Sequence, residues 1–74
     1  MDLITLGNVL RTNRKKKHLT QRELASRLGL SRNSVYMWEK DRTVPSMYVL
    51  EKLSGILGVS VRDMLKVAAR KGRR

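Results

Sequence analysis

The chain has no cysteine and no phenylalanine, and only one tryptophan, two tyrosines, one histidine, one proline and six acidic residues among 74. Without cysteine there are no disulfides and no thiolate metal ligands, so packing alone has to hold the fold. That core is small, since a domain of about 60 residues buries only about 60% of its unfolded surface. The absence of cysteine also fits a reducing compartment. A single histidine with no second ligand at useful spacing supports neither a metal site nor a catalytic pair. There is no glycine-rich phosphate loop, and the core is too small for a substrate cavity, so the expectation is a non-enzyme with no cofactor and no metal. No apolar run approaches the roughly 20 residues of a membrane span, and "MDLITLGNVL" lacks the basic start and cleavage pattern of a signal peptide. A cytoplasmic protein with no membrane partner is expected.

What the chain does have is positive charge: 17 Lys and Arg against 6 Asp and Glu, a formal net charge of +11 and a pI near 11.2. Such a balance favours a polyanionic partner, whether DNA, RNA or an acidic membrane surface. RNA recognition by stacking calls for exposed aromatics, which are scarce here. A membrane-surface helix calls for one long basic amphipathic segment, whereas this sequence is punctuated by short-range stop signals.

Those signals are helical almost throughout, and no alternating apolar-polar run is long enough for a sheet. Leu6, Val9, Leu10 and Asn13 recur at helical spacing in a helix from about Leu6 to Lys17, whose "RKKK" end suits the negative pole of the helix dipole. Thr20 opens "TQRE", a capping box with Glu23 that starts a second, short helix to about Leu28. Gly29 supplies a left-handed turn, and Ser31 caps a third helix, 31–40, only about three residues later. This spacing is that of a helix-turn-helix. "DRTVPS" reads as a loop, because Pro45 disfavours helical geometry at Val44. Ser46 caps a fourth helix carrying Met47, Leu50, Leu53 and Leu57 inward, and Gly58 ends it. Gly55, inside that helix, implies either close packing or an early helix end. Ser60 and Asp63 start a fifth helix with Val61, Met64 and Leu65 inward. The apolar pattern ends after Val67, so the expected organisation is one domain over 1–67 and a basic, flexible tail over 68–74.

The third helix divides its residues between two faces. Val35 and Trp38 lie on one, and Arg32, Asn33, Tyr36, Met37 and Lys40 lie on or near the other. Arg pairs bidentately with guanine and Asn with adenine, and the Met37 side chain suits a thymine methyl, each good bidentate pair discriminating by about 1 to 3 kcal/mol. Gln21, at the amino end of the second helix, can donate to a phosphate. Two charges fall at the edges of apolar faces: Arg14, four residues after Leu10, and Glu39, four after Val35. They either pair with each other or reach solvent along the helix edges; an unpaired buried charge costs several kcal/mol.

The stretch "RKKKHLTQRELASRLGLSRNSVYMWEKDRTVPS", with "LTQRELA", a glycine, a serine with a polar pair, "WE" and a proline at characteristic intervals, resembles the phage repressor and Cro (Xre) family of helix-turn-helix proteins. The likeness spans about Leu6 to Leu65. It implies an all-α, compact five-helix bundle of the lambda-repressor-like type whose third helix enters the major groove. It further implies that Arg32, Asn33 and Met37 meet base edges. Gln21, Ser34, Arg42 and Thr43 match positions at the DNA backbone, and Ser31, Tyr36 and Lys40 are expected there beside them. Arg14 and Glu39 match a buried ion pair of some members. His18 departs from the pattern, standing where relatives often carry glycine or a small polar residue. The function implied is sequence-specific duplex DNA binding and transcriptional repression by promoter occlusion, by a homodimer formed at least on a near-palindromic operator. An antitoxin that represses its own toxin-antitoxin operon, with a toxin partner, or a sequence-blind RNA or nucleoid binder, are the alternatives.

Overall fold

The computed structural model describes the chain from residue 4 to residue 72, and its side chains as far as residue 68. Five helices follow in order: α1 (Leu6–Lys16), α2 (Gln21–Leu28), α3 (Arg32–Glu39), α4 (Met47–Leu57) and α5 (Val61–Gly72). Each begins behind a hydroxyl. The side chains of Thr5, Thr20, Ser31 and Ser46 accept from the amides of Asn8, Glu23, Ser34 and Val49, and Ser60 Oγ accepts from the Asp63 amide at 3.0 Å. A cap of this kind is worth about 1 kcal/mol, so short helices of 8 residues are delimited from their first turn. The capping box is complete, since Glu23 Oε1 also accepts from the Thr20 amide at 2.8 Å. These hydrogen bonds hold the Glu23 carboxyl below its usual pKa, the Thr20 backbone amide being the larger cause and the Thr20 hydroxyl the next.

The first three helices also end alike. In each, one left-handed residue lets the next amide reach back to the carbonyl five residues earlier: Leu19 to Arg14 across His18, Leu30 to Ala25 across Gly29, and Arg42 to Met37 across Asp41. His18, at φ 58°, does adopt the conformation that the family pattern gives to glycine, and Asp41 does so at φ 59°.

The core is aliphatic: Leu6, Leu10, Leu24, Ala25, Leu28, Val35, Leu50, Leu53, Leu57 and Met64, closed by Trp38. Pro45 is buried beside it, so the loop between α3 and α4 folds inward at that residue. Two residues expected inside are not. Met47 is 50% exposed because it is the first residue of α4, beyond the edge of the core. Leu65 is 40% exposed because the inward stripe of α5 runs through Val61, Met64, Val67 and Ala68, leaving Leu65 on its flank. Gly55 fits neither of its two readings, since α4 continues to Leu57 and a Cβ at Gly55 would meet nothing within 4 Å. The backbone of α5 is helical past Val67 to Gly72; the remainder of the tail at 68–74, and its side chains from residue 69, lie outside the described residues.

Gly7 fixes the crossing of α1 and α3. A Cβ there would stand 2.7 Å from the carbonyl oxygens of both Trp38 and Glu39, so only glycine lets the start of α1 touch the end of α3. The same contact is closed by the Gly7 amide, which donates to Asp41 Oδ1 at 2.9 Å. α1 has no acidic residue in its own first turn, and Asp41 brings a carboxylate to that positive helix end from across the fold.

Candidate nucleic-acid interface

α3 is held from behind and bare in front. Val35 and Trp38 anchor it in the core, while Arg32 and Asn33 are exposed in its first turn. Glu39, only 8% exposed, makes the second anchor: its Oε2 accepts from Arg14 Nε at 2.7 Å and its Oε1 from Arg14 Nη2 at 3.0 Å. Arg14 is 7% exposed and completes its fork by donating from Nη1 to the Leu19 carbonyl at 2.8 Å. Of the two readings open to these charges, the structure adopts the pair. A bidentate arrangement of this kind is what a buried carboxylate needs, because both oxygens lose water and both must be paid in hydrogen bonds.

A third residue joins them. Gln21 Nε2 donates to Glu39 Oε1 at 3.0 Å, so α1, α2 and α3 meet in one hydrogen-bonded knot. This uses one of the two amide hydrogens of Gln21. The sequence motif marks Gln21 as polar and exposed, but its bond to Glu39 bridges 18 positions and is invisible to local spacing.

The remaining site residues lie around this knot. Tyr36 is on the exposed face of α3 between two cations one turn away on either side, with Arg32 Cζ at 5.8 Å and Lys40 Nζ at 5.7 Å from its ring centre. Met37 is half-buried, Ser34 likewise, and Ser31 is committed to the cap, its Oγ lying 3.4 Å from Ser34 Oγ as well. Arg42 and Thr43 are exposed in the loop after α3. A shallow cleft at the start of α2 is lined by Arg14, Thr20, Gln21, Arg22 and Arg32, bringing cations of α2 and α3 to a helix amino terminus. Among the described residues no group of three or more His, Cys, Asp or Glu could hold a metal ion, and no helix is long and apolar enough to cross a membrane. Asp41, which accepts from an amide 34 positions away, and Asn8, Arg11 and Arg22 carry no local sequence signal; each is an ordinary polar residue in its own neighbourhood.

Two short capped helices joined by a three-residue turn, the second buried on one face and carrying free Arg and Asn on the other, define a helix-turn-helix domain of the DNA-binding class. The sequence profile of the helix-turn-helix family matches residues 10–64. The chain is 40% identical over 58 residues to the immunity repressor protein of Bacillus phage phi105, covering 78% of this chain and 40% of that one, so it spans about two-fifths of that relative's length. Its fold superposes on the DNA-binding domain of the P22 c2 repressor with a TM-score of 0.79 at 32% identity, covering 89% of this chain and 87% of that domain. It superposes on SinR, the master regulator for biofilm formation, solved in complex with DNA, with a TM-score of 0.74 at 32% identity, covering 82% of this chain and 98% of that one. The chain belongs to the Cro- and phage-repressor-like (Xre) family of helix-turn-helix proteins, a family of DNA-binding regulators and not of enzymes.

Proposed function

We propose that this protein is a sequence-specific repressor that occludes a promoter by laying α3 in the major groove of duplex DNA. The observation that carries the reading is the placement of Arg32 and Asn33. They stand exposed in the first turn of a helix whose opposite face is locked by Val35, Trp38 and the Arg14–Glu39–Gln21 knot. A base-reading side chain is useful only when the helix beneath it cannot shift, since misplacement by about 1 Å forfeits bidentate geometry. Met37, one turn further on, meets a thymine methyl group. Gln21, Ser31, Ser34, Tyr36, Lys40, Arg42 and Thr43 take the DNA backbone and set the register.

The domain measures 33 × 23 × 20 Å, the size of one half-site reader. The resemblance to phage repressors implies that the bound form is a homodimer on a near-palindromic operator, with half-sites one helical turn, about 34 Å, apart. The related SinR, solved in complex with DNA, supports duplex DNA as the ligand. The test is selection from a random duplex library at near-physiological salt, followed by sequencing of the retained DNA. A two-fold-symmetric motif is expected. Retention without enrichment would reduce the protein to a sequence-blind nucleic-acid binder.

A further inference from the structure

A second basic groove lies between α1 and α3, beside the proposed reading face and adjoining the cleft at the start of α2. Its rim is formed by Arg11 and Lys15 of α1, by Tyr36 of α3 and by Lys40 just after it, and its floor by the Arg14–Glu39 pair with Gln21. Arg11 and Lys15 are four residues apart, hence on one face of α1 about 6 Å apart along the axis, and both are exposed. Tyr36 and Lys40 repeat that spacing at the end of α3. Glu39 is the acidic residue lining the groove, and Arg14 already neutralises it at 2.7 Å. Three cations, Arg11, Lys15 and Lys40, therefore line the groove, with no acidic residue apart from Glu39 among its described lining residues. The Lys40 ammonium lies over the Tyr36 ring, 5.7 Å from its centre.

The geometry points to this groove as a docking site for the sugar-phosphate backbone of duplex DNA, with Arg11 and Lys15 as phosphate-contacting residues. The inference rests on the proposed DNA reading and extends it from α2 and α3 to α1. Gln21 is common to this groove and to the cleft carrying Arg22 and Arg32. The two clefts, which also share Arg14, thus form one cationic track across the end of α2. Because the track touches phosphates and not base edges, it adds affinity and salt dependence without sequence preference.

The test compares two charge-matched double variants on a duplex of fixed, arbitrary sequence, with affinity measured from 50 to 200 mM salt by fluorescence anisotropy. One variant is Arg11→Gln with Lys15→Gln. The other is Lys52→Gln with Arg62→Gln, exposed cations of α4 and α5 outside the groove, Lys52 lying 4.8 Å from the Tyr48 ring. Each lost phosphate contact shallows the dependence of log K on log salt by about 0.9. The groove variant is expected to lose about 1.8 of slope, and the control variant less than half of one contact's worth. Equal slopes for the two variants would overturn the inference, as would a groove variant that selects a different base sequence. The proposed sequence reading fails separately: a wild-type protein that enriches no motif would remove it, while the slope comparison would still decide the groove.

Discussion

Glu39 ties three helices together through one carboxylate. It is nearly buried, receives both Arg14 and Gln21, and so connects the packing of α1 on α3 to the first residue of α2, a proposed backbone contact. Glu39→Ala would leave Arg14 buried without its partner, and a loss of about 3 to 5 kcal/mol in urea unfolding is expected. A loss below about 0.5 kcal/mol would mean that both charges are solvated. Glu23 is the opposite case, fully exposed yet held in its charged form by the Thr20 amide and hydroxyl. Its pKa is lower in the folded state than in the unfolded one, so the unfolded chain binds its proton first. The stabilisation is present above the ordinary carboxylate range and disappears as pH falls through the depressed folded value. Urea midpoints measured from pH 7 down to pH 3 should therefore fall less for Glu23→Gln than for the wild type; parallel curves would contradict this.

At the scale of elements, the helices were legible because their limits are local. Thr20, Ser31, Ser46 and Ser60 cap where the sequence places them, and Gly29 and Gly58 close α2 and α4 in the left-handed conformation. The contacts between elements were legible only where a charge or a family pattern exposed them, as with Arg14 and Glu39. Gly7 carries no signal in its own neighbourhood, for its glycine is demanded by carbonyls more than 30 positions away. Met47 and Leu65 fit the helical period, yet period alone cannot tell which apolar residues exceed the width of a small core. Two glycines give opposite predictions. Gly7→Ala should cost about 1 to 3 kcal/mol by forcing α1 from α3, whereas Gly55→Ala should stabilise by about 1 kcal/mol because it improves helix propensity in open space. Thermal or urea unfolding of both variants decides the matter, and a neutral Gly7→Ala would mean that the α1–α3 crossing is not set by this contact.

For the whole molecule, a formal charge of +11 on 74 residues supplies attraction to any polyanion, and the fold decides where that attraction becomes selective. The candidate site was legible as residue types at helical spacing, with Arg32 and Asn33 free on one face and Val35 and Trp38 fixed on the other. What local sequence could not give is the assembly of Gln21, Arg14 and Glu39 beneath that face, or the track of cations that α1 adds beside it. In the proposed complex the first turn of α3 reads bases while the other cations hold phosphates. The most direct measurement is parallel selection of wild type and Arg32→Ala from the same random duplex library, with affinities for the winning site. Arg32→Ala is expected to lose about 1 to 3 kcal/mol and to relax the preference at one base pair of each half-site, every other position being kept. A variant that loses affinity equally for all sequences, with its motif unchanged, would place Arg32 on a phosphate and contradict the claim.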